Sequence, residues 1–186
     1  CPAFSDACRK EGLWAMFGLE VTSMEEAHVL CIFETADKAL EFGDFIYSRL
    51  PDIPNNPEIF GDQVYVDEND NILGEVEKYL GSAVSLSIDE IKDEVFSRSG
   101  LFIPAHIDKP VFSITSQLGF LPDDDYTAVE VFNPSQAGSY SEKYSVITSS
   151  DAHYLEDIGK KYITADIAEK TFLSLLLAMK EKKSLI

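Results

Sequence analysis

Short apolar runs alternate with amphipathic, helix-like stretches along nearly the whole chain, and this alternation most limits the folds it can adopt. A run too short for a helix but rich in β-branched and aromatic residues reads as a buried strand. Strands followed by helical stretches build an α/β protein. Leu13 to Val21 and His28 to Phe33 read as the first two strands. Ahead of them, Ser5 to Gly12 reads as the end of a helix stopped by Gly12. Thr35 to Leu50 sets Leu40, Phe42, Ile46 and Leu50 near one helical face, with Thr35 as N-cap and Pro51 as the barrier beyond. Leu101 to Ala105, Ala128 to Phe132 and Ser145 to Thr148 continue the strand series. A last helix is expected from about Ala165 to Lys183, with a lysine-rich end that suits the helix dipole.

Between Pro51 and Ser99 the character changes. PDIPNNPEIFGD is a turn rich in proline and asparagine, and Gln63 to Asp67 pairs with Asn71 to Leu73 as a hairpin across DENDN. Ser87-Ile88-Asp89-Glu90 is a capping-box signature that opens a helix to about Ser99, with Gly100 as its stop. The region is too small to hold its own core. It therefore reads as an insertion, at about 51 to 100, in a single domain spanning 1 to 186.

Charge narrows the function classes. The 186 residues carry 15 Lys+Arg against 33 Asp+Glu, a net charge of −18, and 45% are hydrophobic, enough for one globular core. So acidic a chain is expected to avoid long nucleic acids, whose binding needs cations to displace counterions from phosphates. A small phosphorylated substrate is the expected partner, met by a bound metal ion. No membrane partner is expected, because the longest apolar stretch, Phe172 to Met179, is far short of the roughly 20 residues that span a bilayer. Cys1, Cys8 and Cys31 include no CxxC pair, which fits reduced thiols and a cytoplasmic location.

The three histidines carry the strongest chemical signal. His28 begins an apolar strand, His106 directly follows LFIPA, and His153 follows SVITS with Asp151 two residues before it. Glu20 stands near the end of the strand closing at Val21. Each of these residues, taken singly, also suits a structural role. Strand ends in α/β folds converge on one face, however, where imidazoles and carboxylates together suit zinc, manganese or iron.

GLEVTS from Gly18, HVLCIF from His28, IPAHIDKP around His106 and SSDAHYLEDIG from Ser149 resemble, in order, the motifs of the PHP (polymerase and histidinol phosphatase) superfamily. The resemblance implies a distorted barrel of seven βα units, related to the TIM barrel, with up to three divalent ions (Zn, Mn or Fe) for phosphoester hydrolysis by metal-activated hydroxide. It implies that Glu20 bridges the first and second metals. His28 and His106 complete the second, while Asp151 and His153 serve the first and third and carry the catalytic step.

The family pattern opens with an HxH and an Asp-His that have no counterpart here, since no histidine precedes His28. The resemblance therefore implies a barrel incomplete at its N-terminus, holding at most one metal well and impaired in turnover, with self-association through the exposed gap. A non-catalytic PHP-like module that binds a metal or nucleotide is the alternative, and hydrolysis of a C–N or C–O bond is a third reading. Asp108 and Lys109 are candidates for contacting a substrate phosphate. Glu130 and Asn133, in VEVFN, are read as bonding ligands or loop backbone, Tyr154 as shaping the site mouth or packing, and Phe112 and Phe120 as core. Asp123 to Asp125 reads as a solvated turn without EF-hand spacing.

Overall fold

The computed structural model describes residues 1–181. By internal contacts the chain divides into two compact units, Cys1–Met24 with Cys31–Gly100, and Glu25–Leu30 with the chain from Leu101 onward.

The first unit contains α1 (Pro2–Lys10), β1 (Phe17–Thr22), the later half of β2 (His28–Phe33), α2 (Ala36–Arg49), α3 (Pro57–Phe60), β3 (Val64–Val66), β4 (Ile72–Glu75) and α4 (Ile88–Ser97). Thr35 caps α2 by accepting the Lys38 N–H at 3.3 Å, and the helix ends at Leu50, extended ahead of Pro51. Ala39, Phe42 and Ile46 form the buried face of α2, which packs on β1, with the Phe42 and Phe33 rings 5.0 Å apart. Leu40, expected on that face, is exposed instead. Two residues from Phe42 is about 200° around a helix, which turns Leu40 away from the core. Both strong local signals between Pro51 and Ser99 are realised. β3 and β4 pair antiparallel around a turn in which the Asp67 carboxylate accepts the N–H groups of Asn69 and Asn71. Ser87 and Glu90 form the reciprocal capping box of α4, which buries Ile88, Ile91 and Val95. Gly100 then passes so close to the core that a Cβ there would lie 2.7 Å from Phe33 Cε1.

The second unit contains the start of β2, then β5 (Leu101–Pro104), α5 (Ile114–Leu118), β6 (Val129–Glu130), β7 (Val146–Ile147) and α6 (Phe172–Lys180). β5 is buried throughout. Thr127 N–H donates to Phe102 O at 3.0 Å, and Ile107 N–H donates to Glu130 O at 2.8 Å. These positions advance together, so β5 and β6 run in the same direction. β6 and β7 pair parallel, Val129 with Val146 and Glu130 with Ile147. The carboxyl ends of all three strands therefore share one end of the unit. α6 buries Phe172, Leu175 and Met179, spaced three and four apart. It starts at its Thr171 cap, later than expected from Ala165, and the expected end at Lys183 lies outside the described residues.

The expected barrel, complete or interrupted, is not formed. Among the described residues the strands fall into three small sheets, β1-β2-β5, β3-β4 and β6-β7, and none closes on itself. Closure needs a continuous ring of tilted strands, each bonded on both edges. β6 and β7 pair over only two residues each, and β3 and β4 are short, largely exposed and paired only with each other. Among the described residues no helix is long and apolar enough to cross a membrane.

Candidate metal centre

His28 is placed by the two-residue period of β2. Val29, Cys31 and Phe33 go into the core, leaving His28 on the half-buried face with Leu30 and Ile32. Its backbone is pinned on both sides. The N–H donates to Phe112 O at 2.8 Å, and the carbonyl accepts the Ala105 N–H at 3.0 Å. The next residue, His106, thereby comes within reach, and the two imidazoles meet edge-on with centroids 5.3 Å apart. Phe112 covers His28 from another side, its ring 5.0 Å away and 12° from parallel.

His106 is buried and holds a left-handed backbone, with φ 30°. That region is costly for a β-carbon-bearing residue and persists where the surroundings over-determine it. Here they do. The His106 N–H donates to Glu130 Oε2 at 2.9 Å, and the next N–H, that of Ile107, donates to the Glu130 carbonyl.

Within the second unit His28 and His106 each offer a ring nitrogen, the two atoms lying within 4.8 Å of one another, and Glu20 is exposed on β1 of the first unit. Two imidazole nitrogens this close suit a divalent first-row cation such as zinc, iron or manganese. The buried Cys31 is no competitor, because burial pushes its thiol far above the ordinary range and keeps it protonated.

Asp151 and His153, also in the second unit, have other partners. The Asp151 carboxylate, on a left-handed backbone at φ 48°, is engaged by the Lys109 ammonium. The His153 side chain is 75% exposed, and its Nδ1–H donates to the Asp151 carbonyl at 2.9 Å. Asp108 turns both carboxylate oxygens onto backbone, accepting the Phe132 N–H at 2.5 Å and the Asn133 N–H at 2.8 Å. Lys109 Nζ also lies 4.8 Å from the centroid of the Phe132 ring, and Lys161 Nζ lies 3.3 Å from it. Tyr154 is exposed, as is Phe120.

Phe112, expected in the core, is instead exposed, left-handed at φ 55° and stacked on His28. Nothing in its local pattern marks it. Glu130 was visible as a loop-bonding carboxylate, and the apolar run AVEVF around it is the signal that it would be buried.

No family model and no curated relative matches the sequence. Solved structures that share its fold include the lesion-specific endonuclease PfuEndoQ from Pyrococcus furiosus, at 18% identity and a TM-score of 0.58 over 88% of this chain. Another is endonuclease Q in complex with a 27-mer duplex substrate carrying an abasic lesion at the active site, at 17% identity and a TM-score of 0.59 over 90% of this chain. The chain spans 38% and 40% of those structures. The second corrects the expectation that long nucleic acids are excluded, since a protein of this fold holds a 27-mer duplex. Net charge sums over a whole surface, while a phosphate responds to the local field and to any bound cation. The fold is thus that of a part of endonuclease Q.

Proposed function

We propose that this chain belongs to the PHP superfamily and carries the metal-binding part of a metal-dependent phosphoesterase that cleaves DNA phosphodiesters. The observation that carries this reading is the pair formed by His28 and His106, two imidazoles with ligand atoms within 4.8 Å, to which the order of the sequence motifs adds Glu20. The order of the four sequence motifs and the fold shared with endonuclease Q support it.

Glu20, His28 and His106 hold one divalent ion. When bound, such an ion lowers the pKa of a coordinated water and neutralises phosphoryl oxygens. Phe112 shields the His28 ring from water and keeps its orientation. Lys109, placed beside both Asp151 and the Phe132 ring, meets a substrate phosphate. Asp151 and His153 are reserved for further ions, which the parent chain holds poorly while Lys109 engages Asp151.

A second reading has one observation in its favour. Lys109 neutralises the Asp151 carboxylate, which leaves Glu20, His28 and His106 as a metal-binding module without turnover. The discriminating experiment incubates the chain with zinc or manganese and a DNA duplex, with and without an abasic site. Metal-dependent cleavage that His106→Asn abolishes supports the phosphoesterase. Metal binding without cleavage of either duplex supports the binding module, and no metal binding removes both.

A further inference from the structure

The end of the second unit that bears His106 is held by a single buried carboxylate. Glu130 closes β6 and is only 3% exposed. Its Oε2 accepts the backbone N–H of His106 at 2.9 Å, from the loop that follows β5. Its Oε1 accepts the hydroxyl of Ser149, from the loop that follows β7. The Ser149 oxygen in turn accepts the backbone N–H of Asp151 at 3.3 Å. One carboxylate therefore reaches two loops, and both residues it fixes, His106 and Asp151, hold left-handed backbones at φ 30° and 48°.

A carboxylate is suited to this task because it only accepts, through two oxygens set apart. A buried polar group is retained where its hydrogen bonds repay the loss of solvent. Here the bonds go to backbone N–H and a serine hydroxyl, and their geometric product is the direction in which the His106 side chain leaves the chain. An ordinary loop would relax His106 to a negative φ and swing its imidazole away from His28.

We infer that Glu130 is a positioning residue, which sets His106 directly and Asp151 through Ser149 for metal binding without itself touching the metal. This inference rests on the metal-site reading above. Residues that orient metal ligands typically change affinity by about 10- to 100-fold when replaced.

Cobalt(II) titration of the chain, followed by visible absorption, tests it with four proteins: the parent, Glu130→Gln, Glu130→Ala and Ser149→Ala. Glutamine keeps the size and one accepting oxygen, so it covers the case in which the alanine variant fails to fold. Glu130→Gln is expected to keep the parent's circular dichroism while losing about 10-fold or more in cobalt affinity and changing the cobalt spectrum. The His106 amide is expected to exchange faster in the same variant. Ser149→Ala is expected to speed exchange at Asp151 and leave His106 protected. Folded variants that bind cobalt with the parent's affinity and spectrum would overturn the positioning role and leave the metal site standing. A parent that binds no cobalt would overturn the metal site, and the positioning role with it.

Discussion

The imidazoles of His28 and His106 meet edge-on, with ring centroids 5.3 Å apart and planes 61° from parallel, although the two residues stand 78 positions apart in the chain. The contact depends on a left-handed His106 backbone, a conformation that asparagine also accepts. His106→Asn is therefore expected to leave stability without metal within about 1 kcal/mol of the parent. The same variant is expected to lose the rise in unfolding free energy that metal confers, about 2.7 kcal/mol at 100-fold excess over Kd. Urea unfolding with and without zinc measures both. A metal-dependent gain that survives in His106→Asn would remove this histidine from the site.

Lys109 and Asp151 form an ion pair whose side chains are both about a quarter exposed. Removing one partner of a largely covered pair leaves the other charge uncompensated and costs stability. Lys109→Met is therefore expected to unfold at lower urea than the parent and to free the Asp151 carboxylate. If Asp151 serves a further ion, calorimetric titration will show an additional binding event in Lys109→Met that Asp151→Asn abolishes. Identical titrations for the parent and Lys109→Met would place Asp151 outside the metal site.

The capping box of α4 has a defined pH signature. Hydrogen bonds from the Ser87 backbone N–H, and then its side chain, hold the Glu90 carboxyl below its ordinary value of 4.5. A depressed folded-state pKa stabilises the fold above the unfolded value and ceases to do so as pH falls through the folded one. Amide protection in the first turn of α4 is thus expected to be full above pH 4.5 and to fall on further acidification. In Glu90→Gln this dependence should vanish, and its persistence there would assign the acid transition to another carboxylate.

The Phe102 side chain is fully buried in β5. Phe102→Ala is expected to cost about 3–5 kcal/mol in urea unfolding, from lost transfer energy plus a cavity. A cost below about 1 kcal/mol would show that the site collapses around the smaller residue.

Local signals in the sequence carried well into the structure. The Thr35 cap, the Pro51 barrier, the Asp67 turn and the Ser87–Glu90 box each act within a few residues, so the chain there leaves little choice. His28 and His106 were legible as candidates because one opens an apolar run and the other directly follows one. What failed were inferences about assembly. No local residue pattern states whether strands close into a ring, and two-residue strands such as β6 and β7 cannot supply one. Charge failed for a related reason, since a sum of −18 says nothing of the field at one strand end. The stack of Phe112 on His28 was illegible because it depends on a left-handed turn at a phenylalanine, which no residue preference announces.

The central claim is that Glu20, His28 and His106 together hold a divalent ion. Metal content by elemental analysis, after loading with zinc and removal of excess by gel filtration, tests it on the parent and on Glu20→Ala, His28→Ala and His106→Ala. The account predicts a single zinc ion retained per parent chain and a marked loss in each variant that still folds by circular dichroism. A parent that retains no zinc, or three folded variants that all retain as much as the parent, would contradict it.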